Sequence, residues 1–211
     1  WNTAGVFPPV RRLLSLVACL ALAACAQSPV VASSDSAAPA SHGDACLDRA
    51  RAMPLEQRIG QLFMVGTDGP TPEESLQALV ADNHIGSVLY LGAGPWTAAL
   101  TREASATIAA WGGDVPVLLA ADQEGGQIQR LDGSGFSDMP SAAQQGRMTP
   151  AALEAKWRGW GKELRDAGVL FDLAPVADVV PPGIDAQNAP VGALDRNFGT
   201  TRETVAASAS A

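Results

Sequence analysis

Short apolar segments alternate with helical patterns through most of this chain, and this alternation constrains its fold more than any other feature. The predicted strands lie at 62–66, 85–91, 117–121 and 169–174; after a helical turn at 54–61, the predicted helices lie at 72–82, 97–111, 150–167 and from 200 onward. Continuously apolar strands are typical of sheets buried on both faces. Strands that alternate with helices form parallel βαβ units. The pattern therefore predicts an α/β fold, either half of a (β/α)8 TIM barrel or most of a doubly wound sheet.

Polar residues just beyond the strands favour the barrel. No G-x-G-x-x-G motif follows the first strand, which argues against a dinucleotide-binding sheet. Asp122, Gln123 and Glu124 follow the third strand, and Asp178 follows the fourth. A barrel builds its active site from residues in these positions, at the C-terminal ends of its strands. The sequence therefore favours about the first four β/α units of a (β/α)8 barrel.

Local residues also predict where two of the helices begin and end. Thr71 is expected to cap the helix at 72–82, with Pro72 at its first position, where a missing N–H costs nothing. Gly168 is expected to end the helix at 150–167, because glycine readily adopts the left-handed conformation that ends many helices.

The first 25 residues have the pattern of an export signal. Arg11 and Arg12 precede residues 13–24, which are almost entirely apolar. This run is shorter than the roughly 20 residues of a membrane-spanning helix, and it matches the basic and apolar regions of a secretory signal peptide. It ends in an L-A-A-C motif at 22–25, which resembles the lipobox of bacterial lipoproteins. The resemblance implies cleavage before Cys25, lipidation of its sulfur and an exported lipoprotein held in a cell membrane by a lipid anchor, on the periplasmic or extracellular face. The alternative is a plain signal peptide with an incidental cysteine.

Residues 26–45 are rich in Ser, Ala and Pro and show no apolar period, so they are expected to form a disordered tether. His42 lies in this segment and is expected to have no chemical role. The folded domain is expected to extend over residues 46–211. Cys46, at its start, could pair with a cysteine beyond Ala211 or remain a buried thiol.

Charge and the scarcity of metal-binding residues exclude several functions. The chain has 14 Lys and Arg against 22 Asp and Glu, a net charge of −8 at pH 7. So negative a surface does not suit the phosphate backbone of nucleic acid. Cys19, Cys25 and Cys46 form no C-x-x-C pair, and His42 and His84 are the only histidines. Neither nucleic-acid binding nor a zinc-finger or histidine-rich metal site is therefore expected.

One motif carries most of the functional information. Residues 122–130 read D-Q-E-G-G-Q-I-Q-R, which is similar to the D-x-E-G-G-x-x-x-R signature of family 3 glycoside hydrolases of the β-N-acetylglucosaminidase (β-hexosaminidase) branch. Gln127 departs from that family, which usually has Arg or a similar residue there. The resemblance runs from about Pro54 to Ala211 and implies a (β/α)8 barrel. Five further segments match the family in order and spacing, at 59–66, 85–89, 135–142, 171–179 and 195–199.

The resemblance implies that Asp122, Arg130 and Arg196 bind the sugar at the non-reducing end. Their chemistry suits this role, because a carboxylate accepts hydrogen bonds from vicinal hydroxyls and Arg presents a planar fork of donors. Asp122 and Arg130 could instead form a structural ion pair, and Arg196 could be a surface charge. Glu124 either orients Arg130 or contacts the sugar. Asp178 is expected to bind loop backbone amides rather than sugar.

The resemblance also implies a reaction, namely hydrolysis of terminal non-reducing β-linked N-acetylglucosamine from cell-wall-type glycans by a retaining mechanism, with peptidoglycan turnover as the process. No metal or organic cofactor is implied. The family's His acid/base and Asp nucleophile are expected beyond Ala211, so no catalytic residue is assigned within this chain, which by itself is expected to be inactive. His84 precedes the second strand, on the face opposite the chemistry, and cannot substitute. The alternatives are a β-glucosidase of the same fold and a lipoprotein that binds sugars without cleaving them.

Overall fold

Four parallel strands form the centre of the fold. A computed structural model describes residues 42–92, 94 and 96–211, so the predicted signal peptide, Cys25 and the predicted tether up to residue 41 lie outside the described residues. The strands are β1 (Met64–Thr67), β2 (Ser87–Tyr90), β3 (Leu118–Ala121) and β6 (Phe171–Asp172), paired in that order. Every neighbouring pair is parallel. A sequential order without reversal is that of a (β/α)8 barrel, whereas a doubly wound sheet reverses at its switch point. The predicted α/β class and the choice of the barrel are confirmed.

Helices α3, α4 and α6 connect successive strands of the sheet, as the sequence pattern predicts. None of the helices in the described part of the chain is both long and apolar enough to span a bilayer. The helices within the described residues are α1 (His42–Ala52), α2 (Leu55–Gly60), α3 (Glu74–Asn83), α4 (Ala98–Ala110), α5 (Ala142–Gln145), α6 (Pro150–Asp166) and α7 (Arg202–Ala209).

Threonine side chains begin three of these helices. The hydroxyl oxygens of Thr97, Thr149 and Thr201 each accept a hydrogen bond from the backbone N–H three residues further along the chain. Each bond satisfies one of the amide groups that a helix N-terminus leaves without a partner, and it stabilises the helix by about 1 kcal/mol. Gly168 follows α6 with a φ of 81°, which confirms its predicted role in ending that helix.

The start of α3 differs from the prediction. The helix begins at Glu74, and the N-cap position is occupied by Glu73 in an extended conformation rather than by Thr71. No side chain caps this helix. Glu74 instead places a carboxylate in the first turn, where the helix dipole favours negative charge. The electrostatic contribution takes the place of the hydrogen bond that a threonine cap would supply.

A short antiparallel hairpin follows β3, and the sequence pattern does not predict it. Its strands are β4 (Gln123–Gly125) and β5 (Ile128–Gln129). Gly125 and Gly126 turn the chain with φ values of 95° and 59°. These strands are too short and too polar to show the alternation by which a strand is recognised in a sequence.

The larger core lies between the sheet and helices α3, α4 and α6. Its fully buried members include Val88, Tyr90, Trp96 and Ile108. The rings of Tyr90 and Trp96 lie 4.8 Å apart, and the Tyr90 hydroxyl forms a 2.8 Å hydrogen bond with the Ser105 hydroxyl. Burial of each large apolar side chain contributes about 2 kcal/mol to folding. This core fixes the strand β2 and the helix α4 against each other.

A smaller core joins α6 to α7 and to the segment that precedes α7. Leu153, Trp160, Phe198 and Val205 are buried in it. The rings of Trp160 and the neighbouring Trp157 pack edge to face with their centroids 5.4 Å apart. Because Phe198 is anchored here, the cluster holds the backbone from which residue 196 extends.

The two outer strands of the sheet expose apolar side chains. Leu62 and Phe63, beside β1, are 85% and 54% exposed, and Leu170 and Phe171, at β6, are 67% and 44% exposed. The prediction that all four strands are buried on both faces is therefore wrong for β1 and β6. Of the two central strands, β2 alternates between half-buried and buried residues, and β3 is buried except at the half-buried Leu118. Within the described residues each outer strand has only one neighbouring strand, so its free side is not covered.

Helix α1 overlaps the end of the predicted tether. The helix begins at His42, so residues 42–45 are helical rather than disordered as predicted for 26–45. Residues 45–52 are dominated by Ala, Leu and Arg, which have the highest helix propensities, and this explains the earlier start. Cys46 is exposed on α1 and unpaired within the described residues, so the alternative of a buried thiol is wrong.

The middle of α6 contains a glycine that the fold does not require. A Cβ atom on Gly159 would have no atom within 4 Å, and its φ is not positive. Gly159→Ala is therefore expected to raise the free energy of unfolding by about 0.8 kcal/mol, because alanine restricts the unfolded chain and favours the helix. Urea unfolding of both proteins measures this.

Gly146→Ala is the matched control, because a Cβ atom there would lie 1.7 Å from the carbonyl oxygen of Phe198. That variant should lose stability. An unchanged or lower stability of Gly159→Ala would contradict the prediction.

Candidate functional site

The candidate site lies at the carboxyl ends of the parallel strands. Asp122 directly follows β3, and Asp172 is the last residue of β6, paired with Ala121 of β3. In barrels of this kind, side chains from neighbouring strand ends converge at one edge, where the active site is built. The structure therefore places Asp122 where the sequence predicts a functional carboxylate.

The hairpin after β3 brings Asp122 and Arg130 together. The backbone N–H of Arg130 donates to the carbonyl oxygen of Asp122 at 3.2 Å. Their side chains form no ion pair in the described structure, so the alternative of a structural ion pair finds no support. The Nε atom of Arg130 is buried and has no hydrogen-bond partner among the described residues. A buried donor without a partner is costly, and such donors are found where a ligand or water completes the bond.

The turn at Gly125 and Gly126 depends on the absence of side chains. A Cβ atom on Gly125 would lie 2.3 Å from the carbonyl oxygen of Pro140, and one on Gly126 would lie 2.8 Å from the Cβ atom of Ser141. Both residues also have φ values that side chains disfavour. The hairpin can therefore pack against residues 140–141 only with glycine in both positions.

Glu124, on the hairpin, binds Arg196, which lies on a distant segment of the chain. Its carboxylate accepts hydrogen bonds from Nε and Nη2 of Arg196 at 2.8 and 2.6 Å, across 72 residues of sequence. The side chain of Glu124 is 4% exposed and that of Arg196 is 26% exposed. The hydrogen bonds to Glu124 raise the pKa of Arg196. Glu124 thus orients Arg196 and not Arg130, and the surface-charge alternative for Arg196 is wrong.

A tight backbone segment presents Arg196. A 3₁₀ helix at Gly192–Leu194 ends at Asp195, which adopts a left-handed conformation with φ 55°. The backbone N–H of Arg196 then donates to the carbonyl oxygen of Val191 at 3.1 Å. A further bond from Nη1 of Arg196 to the carbonyl oxygen of Pro190, at 2.7 Å, fixes the guanidinium. Three of the five guanidinium N–H groups thus donate hydrogen bonds within the protein, and each Nη atom keeps one further N–H group for another acceptor.

Asp172 is a second buried carboxylate at the strand ends. One of its oxygens, Oδ1, accepts a 3.0 Å hydrogen bond from the backbone N–H of Gln123, and the other is buried without a partner among the described residues. The pKa of Asp172 is raised to about 6, chiefly because the carboxyl group is buried; the hydrogen bond from the Gln123 backbone lowers this pKa, and the nearby carboxylates of Asp122 and Glu124 add to the rise.

The raised pKa of Asp172 predicts a pH-dependent difference between wild type and the variant Asp172→Asn. In the folded protein Asp172 takes up its proton near pH 6, whereas in the unfolded chain it does so near pH 4. The wild type is therefore stabilised by this group below about pH 4 and loses that contribution as the pH rises through 6. At pH 7.5 the asparagine variant should be more stable than the wild type by about 3 kcal/mol.

Urea unfolding of both proteins between pH 4 and pH 8 measures the difference. The free energy of unfolding that Asp172→Asn gains over the wild type should grow from pH 4 to pH 6 and then level off. Asp82→Asn, at an exposed position on α3, controls for the change in net charge. A difference in stability between Asp172→Asn and the wild type that stays constant over this pH range would contradict the raised pKa of Asp172.

Buried glutamines support the site, and sequence reasoning did not give them a role. Gln145 is fully buried, and its Nε2 donates to the carbonyl oxygens of Glu124 and Pro140, both at 2.8 Å. Its Oε1 accepts from the indole N–H of Trp157 at 3.1 Å. No local signal marks this residue, because its partners lie on three separate segments of the chain.

Asp178 does not take the role predicted for it. Its side chain is exposed and accepts no hydrogen bond from a backbone amide of the described residues. It acts on the site only at a distance, through its charge, which helps to raise the pKa of Arg196. Within the part of the chain that the structure describes, no cluster of His, Cys, Asp and Glu side chains has the arrangement of a metal site.

Comparison with known proteins shows what this chain is similar to. Residues 54–211 match the family model described as the glycosyl hydrolase family 3 N terminal domain. The chain is 32% identical over 155 residues to the β-hexosaminidase LpqI of Mycobacterium tuberculosis, an alignment that covers 73% of the chain and 37% of that relative. The chain thus spans well under half the length of the curated relatives that it matches.

Solved structures agree with this match. The β-N-acetylhexosaminidase of Beutenbergia cavernae superimposes with a TM-score of 0.68 at 44% identity, over 74% of this chain and 48% of that one. A glycoside hydrolase family 3 β-N-acetylglucosaminidase from Paenibacillus sp. superimposes with a TM-score of 0.61 at 27% identity, over 75% and 30% of the two chains.

Proposed function

The chain belongs to glycosyl hydrolase family 3, and from this membership we propose that its site binds the terminal non-reducing β-linked N-acetylglucosamine of cell-wall-type glycans for hydrolysis with retention of configuration. The observation that carries the proposal is that a backbone hydrogen bond joins Arg130 to Asp122 at the end of β3, while Glu124 of the same hairpin holds Arg196, and both arginines keep N–H groups without a partner among the described residues. The names of the relatives support the choice of sugar, since they are a β-hexosaminidase and a β-N-acetylglucosaminidase.

The three side chains offer the hydrogen-bond groups that a pyranose needs. Asp122 accepts from two vicinal hydroxyls, and bonds to an ionised acceptor are the stronger kind. Arg196 retains one N–H on each Nη atom after its bonds to Glu124 and Pro190, which suits hydroxyls or an acyl carbonyl. The unpartnered Nε of Arg130 adds a further donor. Because the protein holds these donors in place before the sugar arrives, the side chains lose little conformational freedom on binding.

The proposed reaction has two steps. A carboxylate attacks the anomeric carbon, the bond to the leaving oxygen breaks as that oxygen takes up a proton, and water then cleaves the glycosyl-enzyme. The attacking Asp and the His acid/base are expected beyond Ala211. Residues 46–211 contribute the side chains that bind the sugar ring, and this binding holds the anomeric carbon in position for attack.

We also propose that the protein is exported and held at a membrane by a lipid on Cys25, where it acts in peptidoglycan turnover. The basic and apolar pattern of residues 11–24 and the L-A-A-C motif at 22–25 support this proposal. Radiolabelled palmitate should label the wild type and not Cys25→Ser. Equal labelling of the two proteins would contradict lipidation at Cys25.

Hydrolysis of aryl sugars tests the proposed activity. The protein produced from its complete coding sequence should cleave an aryl N-acetyl-β-glucosaminide much faster than the aryl β-glucoside. The variant Asp122→Asn should lose most of this activity. Faster cleavage of the glucoside would favour the same-fold β-glucosidase, and saturable binding of N-acetylglucosamine without cleavage would favour the sugar-binding lipoprotein. If the protein neither binds nor cleaves these sugars, the proposal is wrong.

A further inference from the structure

Gln123 is buried at the base of the hairpin, and both ends of its side-chain amide bind one residue. Its Nε2 donates to the carbonyl oxygen of Leu131 at 2.8 Å, and its Oε1 accepts from the backbone N–H of Leu131 at 3.0 Å. The residue is 2% exposed. The amide thus imitates a paired strand and satisfies both backbone groups of Leu131, although Gln129 also donates to the same carbonyl at 3.2 Å.

This pair of bonds joins the neighbours of two proposed sugar-binding residues. Gln123 directly follows Asp122, and Leu131 directly follows Arg130. Asp122 and Arg130 themselves are linked by the 3.2 Å backbone bond from the N–H of Arg130 to the carbonyl oxygen of Asp122. The Gln123 amide lies next to this bond and reinforces it.

The backbone of the hairpin is weak at this point. The pairing of β4 with β5 is irregular between Gln123 and Gly125, where the register shifts. A bulge of this kind leaves ladder positions unpaired and lets the strand bend. The side chain of Gln123 supplies bonds that a regular ladder would supply. Its own backbone N–H is held in turn by Asp172, so Gln123 is fixed on both sides.

We propose that Gln123 is a positioning residue that sets the spacing between Asp122 and Arg130. The inference rests on the proposed function, because that function supplies the sugar as the ligand. The spacing between Asp122 and Arg130 is itself a property of the hairpin. Gln123 does not touch the sugar and acts through the backbone of Leu131. A side chain in this position must donate and accept at once, which an amide does and a carboxylate or an apolar group does not.

Three variants of the full chain separate this role from simple packing. Gln123→Met keeps most of the volume and removes both bonds. Gln123→Asn keeps the uncharged amide but shortens the side chain by one CH2 group, so it cannot reach both backbone groups of Leu131 as Gln123 does. Gln127→Ala is the matched control, because Gln127 lies on the same hairpin but is exposed.

Two readouts are needed, the Kd for N-acetylglucosamine by calorimetry and the hydrogen-exchange rate of the Arg130 backbone amide by NMR. Gln123→Met should weaken binding at least about tenfold and speed exchange at Arg130 by a similar factor, because unpaired buried groups at Leu131 loosen the hairpin. Gln123→Asn should fall between this variant and the wild type, and it decides the question if the methionine variant does not fold. Gln127→Ala should match the wild type in both readouts.

The outcomes distinguish this inference from the proposed function. If the wild type binds no N-acetylglucosamine while exchange at Arg130 still accelerates in the Gln123 variants, the sugar assignment fails and the positioning role stands. If exchange at Arg130 is unchanged in both Gln123 variants, the positioning role is overturned, whatever the wild type binds.

Discussion

Replacing Arg196 by methionine is expected to lower the free energy of unfolding by about 3 kcal/mol and the affinity for N-acetylglucosamine by about a hundredfold. The loss of stability follows from Glu124, which is 4% exposed and accepts two hydrogen bonds from the guanidinium. Without Arg196 this carboxylate is buried with no partner, and an uncompensated buried charge is among the most destabilising changes in a protein. The loss of affinity follows from the two guanidinium N–H groups that remain free for a sugar.

A double variant separates these two effects. Arg196→Met combined with Glu124→Leu removes both charges, and replacing a buried ion pair by apolar groups of similar volume is often close to neutral. Stability should therefore return most of the way to that of the wild type, whereas the affinity for the sugar should not return. Urea unfolding and calorimetric titration with N-acetylglucosamine measure the two quantities.

Arg158→Ala is the matched control for the stability effect. Arg158 pairs with Glu154 on the surface of α6, and both side chains are largely exposed. An exposed pair of this kind contributes about 0.5 kcal/mol or less. A loss at Arg196 no larger than the loss at Arg158 would show that the Glu124–Arg196 pair does not stabilise the fold.

Gly125→Ala is the second change with a large expected effect. The residue has a φ of 95°, and a Cβ atom would lie 2.3 Å from the carbonyl oxygen of Pro140. The left-handed conformation alone costs a residue with a side chain about 1 to 2 kcal/mol, and the collision adds the displacement of the segment at 139–141. A total loss of about 3 kcal/mol is expected. Sugar affinity should fall as well, because the same turn leads the chain back to Arg130.

Gly113→Ala isolates the conformational part of this loss. Gly113 also has a positive φ, of 62°, but a Cβ atom there would have no neighbour within 4 Å. Its replacement should cost only about 1 kcal/mol, with no change in sugar binding. Equal losses in the two variants by urea unfolding would mean that the contact with Pro140 relaxes without cost.

Much of the fold could be predicted from short-range patterns. The strands at 85–91 and 117–121 and the helices at 97–111 and 150–167 contain the observed elements β2, β3, α4 and α6. These elements have strong periodicity and clear ends, such as the capping threonine of α4 at residue 97. The predictions failed where the local signal was weak, at the hairpin β4–β5, at the start of α3 and at the start of α1.

The sequence by itself determined the α/β class, the order of the units and, through the D-Q-E-G-G-Q-I-Q-R motif, the region of the candidate site. Periodicity and helix caps depend on residues a few positions apart, so they can be read along the chain. The partner of Glu124, the buried oxygen of Asp172 and the bonds of Gln123 and Gln145 were decided only by tertiary structure. A polar side chain that leaves water must find its partner wherever packing brings one near. For Glu124 that partner lies 72 residues away, and no local pattern encodes such a distance.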